Sequence, residues 1–584
     1  MLGKRSDQRG LFEADHVYLD FVGRDTFYGF LASQRGQMFR DEEFAELYVL
    51  DNGCPSVPPS LLATALLLQT YDRVSDEEAK AHADFDLRWK VALGIELEQR
   101  PFAKSTLQLF RSQLILHKRV RAIFKKSLAF ARQSGYLKHR KLKAALDTSN
   151  ILGRGAVKDT YNLLADGIVS LVRTLGQLQA SSPEQWAQTH DLSRYFATSS
   201  LKAEAEIDWQ DAKARERFLT GIVADADRLL GIARQALAGY ASDSVEHKRL
   251  TEAAELLVRL LLQDVERKPD IGQASLKEGV AQDRVISVQD PEMRHGRKSK
   301  AKRFDGHKAA LAVDPESELI TAADVLAGNA PDNDKALELV EQAEENTGLE
   351  VEQTLGDCAF GDGTTRQEFA DAGRSLVAKV PDRPNSAQIP KEDFTIDLEA
   401  KTCTCPAGQV CKTLVPIGGH KNRKGESQER FGFRFNPTIC AACSLRASCV
   451  KAAPDKGRTV SLHPQEALLQ AARAFQRSEA FAPYRRWRQA VEHRIARLMQ
   501  LGMRQARYFG RAKTLFQLLM ASTVANLTLV ATKVGLMRGR GARPPLLFAQ
   551  LADHLTTLVI ALTLLLACYV GQTAHSRLQG GVVG

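Results

Sequence analysis

Two short apolar runs that each lead into an aspartate constrain the fold of this chain more than any other feature. Lys143–Asp147 (KAALD) is followed by a turn holding Gly153 and Gly155. Leu349–Leu355 leads through Gly356 to Asp357 and then to Gly361 and Gly363. An apolar run of about four to eight residues closed by turn residues reads as a buried strand. Each would deliver its acid to a sheet edge or a strand end. Arg284–Val288, His307–Val313 and Leu319–Val325 are the other β-like runs, and helical periodicity fills most of the remainder. The reading is a multidomain α+β chain, and 584 residues exceed what one compact core accommodates.

Residues 1–140 read as helical. Ser60 is placed to cap one helix, Ser75–Glu78 to start a second running to about Leu93, and Leu107, Phe110 and Leu114 mark a third. Short helices joined by polar turns fit a DNA-binding module. The stretch His117–Lys143, rich in Lys and Arg with no acid, fits it too, although a solvated basic helix reads the same way. Stripes such as Ile168, Leu171 and Leu175, and Ile222, Ala226 and Leu229, make 163–283 a helical insertion into a core formed by 141–394 and 456–535. Residues 395–455 are a cysteine-rich insertion, and 536–584 a linker and apolar tail. Leu555–Val570 is shorter than a membrane span and reads as a packed helix, so a membrane is not expected as partner.

The formal charge of +10 favours a polyanionic partner, and the polar N-terminus has no apolar signal core, which points to the cytoplasm. Six cysteines lie between 403 and 449. Their spacing suggests a structural Zn²⁺ held by Cys405, Cys440, Cys443 and Cys449; the alternative is reduced cysteines in a small subdomain. The basic segment Arg294–Arg303, with Arg297, Lys298, Lys300 and Lys302, has the look of a hairpin tip that touches a phosphate backbone.

Tyr484–Thr514 is a helix and basic turn in which Glu492 stands alone among arginines that include Arg488, Arg494 and Arg504. A structural Arg488–Glu492 ion pair explains it simply. With Asp147 and Asp357 available, however, three carboxylates could hold two Mg²⁺ or Mn²⁺ ions that activate a water or a 3′-hydroxyl on a phosphodiester.

These blocks resemble the DDE transposases of bacterial insertion sequences. The resemblance rests on RPFAKSTLQLFRSQL, ALDTSNILGRGAVKDTYNLLADGI, FDGHKAALAVD, TLGDCAFGDG, CAACSLRASC and YRRWRQAVEHRIARL with GMRQARYFGRAKTLFQLLMASTVANL. It implies a ribonuclease H-like α/β core with Asp147, Asp357 and Glu492 as the metal-holding catalytic triad. It also implies end cleavage and strand transfer, binding of terminal inverted repeats and target double-stranded DNA, a homodimer at synapsis, and a DNA-associated bacterial protein. Tyr484 and Arg488 match the tyrosine–arginine–glutamate–lysine signature that flanks the glutamate, and with Arg494 and Arg504 are expected on DNA. The tyrosine lies one residue further from the arginine than in that signature, and Met499 stands where it has its lysine.

Overall fold

Seven α-helices precede the first strand in the computed structural model, which describes residues 1–5, 13–49, 53–268, 272–299, 301–380, 388–421, 427–453 and 455–538. They are α1 (Ala14–Val22), α2 (Phe27–Met38), α3 (Pro59–Asp72), α4 (Asp76–Phe85), α5 (Leu87–Leu93), α6 (Lys104–Leu116) and α7 (Val120–Gln133). The third begins at Pro59, whose fixed φ and missing N–H suit the first helical position; the expected cap, Ser60, instead donates its N–H to Asp41 (2.9 Å). The helix expected from Ser75 to Leu93 is two. Ser75 and Glu78 form a capping box at the start of α4, and Asp86 interrupts the run by capping α5. The cations of the acid-free stretch find acids from distant segments. Arg119 pairs with Glu46, Lys126 with Glu43, Lys125 with Glu345 (2.7 Å) and Lys141 with Glu350 (2.9 Å). Much of that charge therefore fastens α7 and the start of β1 to the segments packed beside them.

After β1 (Lys141–Leu152) come α8 (Thr160–Leu178), α9 (Pro183–Thr189), α10 (Leu201–Glu204), α11 (Ala212–Leu237) and α12 (Val245–Asp264). A hairpin of β2 (Val265–Lys268) and β3 (Gln273–Leu276), which helical periodicity does not announce, closes this unit. Its apolar cluster runs from Tyr161 to Val285 and is separate from the main one.

The main sheet is built from β1, β4 (Arg294–Arg297), β5 (Arg303–Val313), β6 (Ile320–Ala327), β7 (Glu350–Gly356) and β8 (Leu376–Ala378), with α13 (Ala336–Thr347) between β6 and β7 and α14 (Gly363–Asp371) before β8. The order is β4-β5-β1-β7-β8, with β6 also pairing with β5. β1 runs antiparallel to β5 and parallel to β7, which is parallel to β8. The central strand is therefore the one that carries Asp147, and the acid sits within it rather than at a sheet edge. Arg284–Val288, expected to be a strand, is irregular backbone with Val285 and Ile286 buried.

A third unit holds β9 (Thr395–Asp397), β10 (Thr402–Thr404) and β11 (Val410–Cys411) in one small sheet. A second small sheet contains β12 (Leu414–Lys421), β13 (Ser427–Arg434) and β14 (Thr459–Ser461), and α15 (Pro437–Ala441) and α16 (Arg446–Cys449) lie between its last two strands. Phe394, Phe433, Phe435 and Val460 form its own small core. Then follow α17 (Glu466–Arg477), α18 (Tyr484–Gln500) and α19 (Arg511–Lys533).

The last helix is long and apolar enough to cross a membrane by length and composition, yet 78% of that window is buried against α3, α7, β6 and their neighbours. Asn526, fully buried in α19, fixes this packing. It accepts from the Ile320 N–H (3.0 Å) and donates to the Ile320 carbonyl (2.8 Å) and the Ser127 hydroxyl (3.2 Å). One apolar cluster consequently joins the N-terminal helices, the sheet and the last two helices. The apolar tail beginning at Leu546 and most of the preceding linker lie outside the described residues.

Candidate active site

The parallel register of β1 and β7 pairs Ala145 with Leu355. The pairing ends there, two residues before each acid, and the Asp357 charge acts on the Asp147 carboxyl. Asp357 is half-buried, and one of its carboxylate oxygens accepts the Ala359 N–H (2.8 Å). The turn after it is held by Arg366, which donates to the carbonyls of Gly361 (3.0 Å) and Ala378 (2.6 Å). Gly361 tolerates no side chain, because a Cβ there would lie 1.8 Å from the Lys379 carbonyl oxygen. Burial pushes the Asp147 carboxyl above its usual range. The Asp357 charge adds to that push, while the Thr148 N–H and the Arg488 guanidinium oppose it.

The other acids near these two are committed to local structure. Asp159 caps α8 and Asp362 caps α14. Asp166 pairs with Lys158 (2.8 Å), and the buried Asp314 accepts from the Ser317 N–H (2.9 Å) and hydroxyl (2.6 Å). Asp332 accepts from the Thr148 hydroxyl (2.8 Å) and pairs with Lys308, which leaves Asp147, within β1, and Asp357, directly after the parallel β7.

Steps of four along α18 put Tyr484, Arg488 and Glu492 on one face, and that face meets the acid pair. The Arg488 guanidinium lies 3.2 Å from Asp147 and 3.5 Å from Glu492, so the expected intrahelical pair exists but is shared with the sheet. Burial opposes the Arg488 charge, and Asp147 and Asp357 more than restore it. Its Nε is buried without a hydrogen-bond partner. Glu492 is 59% exposed at the rim. Among the described residues no three His, Cys, Asp or Glu side chains stand in metal-holding geometry. The two aspartates supply the hard oxygens that Mg²⁺ prefers, and Arg488 holds positive charge between Asp147 and Glu492. The donor chemistry fits a divalent ion that would take over that charge.

Two residues expected on DNA lie inside the fold. Tyr484 is buried, donates its hydroxyl to the Gly356 carbonyl and stacks on Phe481; burial pushes its hydroxyl pKa up to about 12. It anchors the turn that presents Asp357. Arg494 is buried and donates to the Ala525 carbonyl (2.7 Å), with burial lowering its pKa to about 10. By contrast Arg504 is exposed, as are Arg297, Lys298 and Lys302 on the β4–β5 hairpin, while Lys300 lies outside the described residues. Sequence reasoning passed over Arg73 and Arg154 and took Arg507 only as one cation of the helix and basic turn, yet all three line the same cleft as Arg504. Arg154 sits inside the first acid block, a signal that could have drawn attention; Arg73, far away in the N-terminal helices, has none.

Cys405, Cys440, Cys443 and Cys449 line one cavity of about 30 Å³ together with Phe394, Phe435 and Arg458. Burial raises the Cys449 thiol pKa; Arg458 opposes this and the three other thiols add to it. Cys403 and Cys411 lie opposite each other in a neighbouring strand pair, and burial pushes the Cys403 thiol up to about 12.

A family model described as Transposase DDE domain matches residues 404–531, and one described as Transposase domain (DUF772) matches residues 17–113. The first takes in the cysteine cavity, Glu492 and α19; the second covers the helices up to α6. No curated protein and no solved structure matched. Both matched segments are described as transposase domains, and over these two stretches, which hold Glu492 but neither Asp147 nor Asp357, the chain is similar to DDE transposases.

Proposed function

We propose that the chain cuts DNA at the ends of its element and joins the freed ends to a target, using Asp147, Asp357 and Glu492. The observation that carries this reading is Asp147, within β1, and Asp357, directly after the parallel β7, faced by Arg488 and Glu492. A ribonuclease H-like core is the reading of the sheet, supported by its order with β1 at the centre, β5 antiparallel on one side and β7 and β8 parallel on the other.

In the first reaction a water oxygen bonds to the phosphorus at the element's end. The P–O3′ bond breaks, and the leaving 3′-oxygen takes a proton. In the second, that 3′-hydroxyl attacks a target phosphodiester, forming a new P–O3′ bond and releasing a target 3′-hydroxyl. Two bound Mg²⁺ or Mn²⁺ ions would supply activation of the attacking oxygen and neutralisation of the leaving one. Asp147 and Asp357 would hold them from fixed backbone. Glu492 would close from the helix, which requires its side chain to turn inward from the rim. Arg488, released from Asp147, has its unpartnered Nε available for a phosphate oxygen. The hairpin cations Arg297, Lys298, Lys300 and Lys302, with Arg504, would guide the backbone of the terminal repeats. Two such chains would bring two ends together. In the third unit a Zn²⁺ ion on Cys405, Cys440, Cys443 and Cys449 would be structural, since tetrahedral thiolate sites leave no open position.

The test is cleavage of DNA carrying the element's own ends, with Mg²⁺, by wild type and by Asp147→Asn, Asp357→Asn and Glu492→Gln. Each variant is expected to lose cutting by at least about 10³-fold while keeping end binding, the size that removal of a principal transition-state charge stabiliser produces. Wild type that binds ends and never cuts would leave a DNA-binding protein without nuclease function, and the exposed Glu492 would be the first suspect.

A further inference from the structure

The C-terminal end of β1 opens into a cleft of about 660 Å³, within the size range of ligand sites. Four segments meet there: α3, the turn after β1, the turn between α18 and α19, and α19 itself. Arg73, Arg154, Arg504 and Arg507 line it, with no Asp or Glu, over a floor that includes Leu152 and Met499.

These arginines lack acids of their own. Arg73 and Arg504 are exposed, with no side-chain ion pair or hydrogen bond among the described residues. Arg154 donates to the Arg507 carbonyl (2.7 Å). The acid nearest Arg507, Asp76, is 3.5 Å away and already bonded to Arg111 at 2.6 Å. Like charges gathered in this way repel one another until an anion joins them.

The backbone holds the arrangement firmly. The Leu152 N–H donates to the Arg504 carbonyl (3.0 Å) and the Ala506 N–H to the Leu152 carbonyl (2.7 Å), so the α18–α19 turn is stitched onto the end of β1. Leu152 is five residues past Asp147, roughly 17 Å along the strand. The β4–β5 hairpin leaves the sheet at the same end, since Gly306 pairs with Leu152.

We propose that this cleft grips the sugar–phosphate backbone of a DNA strand running from the acid pair towards the N-terminal helices, so that α3 and the sheet hold one strand jointly. The proposal rests on the transposase reading and adds a seat that unites its two ends. Guanidinium forks match phosphate oxygens two at a time. Such contacts position a strand without reading its sequence, so a duplex of arbitrary sequence is a sufficient probe.

The experiment uses full-length protein and a fluorescently labelled duplex of arbitrary sequence, with Arg73→Gln and Arg504→Gln made singly and together. Both side chains are exposed, and melting curves are expected to match wild type. The slope of log K against log salt is expected to become shallower by about 0.9 for each arginine removed. Arg228→Gln, on α11 and paired with Asp225, is expected to leave the slope unchanged. An unchanged slope in the double variant, while wild type still binds DNA and cuts it in an Asp147-dependent way, overturns the cleft proposal alone. A free mononucleotide that binds wild type but not the double variant, with DNA affinity the same in both, makes the cleft a small-anion site and also overturns it. Wild type that neither binds nor cuts DNA overturns this proposal and the transposase mechanism together.

Discussion

At the scale of single residues, Asp147 is placed for chemistry at the expense of stability. Its folded pKa is raised, first by burial and then by Asp357, so the native state binds this proton more tightly than the unfolded chain does. The contribution to stability is therefore greatest at low pH. It declines as pH rises from the unfolded value of about 3.9 through the higher folded value. Asp147→Asn removes the penalty, and its melting temperature at neutral pH is expected to exceed that of wild type even though cutting is lost. Mg²⁺ at a hundred times its dissociation constant should stabilise wild type by about 2.7 kcal/mol and the variant by far less, which calorimetry with and without the ion would read. Asp76 has the opposite sign. Burial raises its pKa, but hydrogen bonds from Arg111 and Gln69 outweigh that and hold it below the usual carboxylate range. Its stabilisation is present above about pH 3.9 and is lost as pH falls further. Asp76→Ala strands Arg111 among Gln69, Tyr508 and Phe516, and should destabilise by about 3 kcal/mol in urea unfolding at neutral pH.

At the scale of elements, Asn526 is the contact on which several helices and a strand depend. Asn526→Leu removes the side-chain partner of both Ile320 backbone groups in a buried core, and a loss of about 3 kcal/mol is expected in the same measurement. The contribution of this asparagine was invisible in the sequence, where LFQLLMASTVANL is an apolar run that names no partner for it. What could be read was local. The runs before Asp147 and Asp357 have the composition of buried strands, and the i,i+4 step from Arg488 to Glu492 follows from helical geometry alone. Pairing was not local. Nothing in KAALD states that its strand becomes the centre of the sheet, because that depends on β5 and β7 arriving from far along the chain. Tyr484 and Arg494 were misread for a related reason. Polar side chains on a basic helix look solvent-facing until the packing partners, here the Asp357 turn and α19, are known. The hairpin β2–β3 follows directly on a long helix and is too short to impose its own period.

On the scale of the whole molecule, the separate apolar clusters divide the response to perturbation. If Zn²⁺ occupies the four-thiol cavity, chelation is expected to release about one ion per chain and to expose 388–461 to proteolysis. The main cluster, which contains no residue of that unit, should keep its melting transition. Metal analysis beside limited proteolysis would check both halves, and a preparation that contains no zinc yet resists proteolysis there would remove the ion from the account. The same division explains how the accessory bundle of α8–α12 can sit between two halves of the sheet in sequence without disturbing their pairing.

The strand that carries Asp147 also receives the turn that carries Arg504, with four residues of extended backbone between the acid and Leu152. That interval acts as a ruler of fixed length, separating the place where a strand would be cut from the place where it would be held. Lengthening it by one residue would not give a slightly longer ruler. With two residues per repeat, it would turn either the acid or the stitched end to the opposite face of the sheet, so the spacing can change only in steps the strand permits.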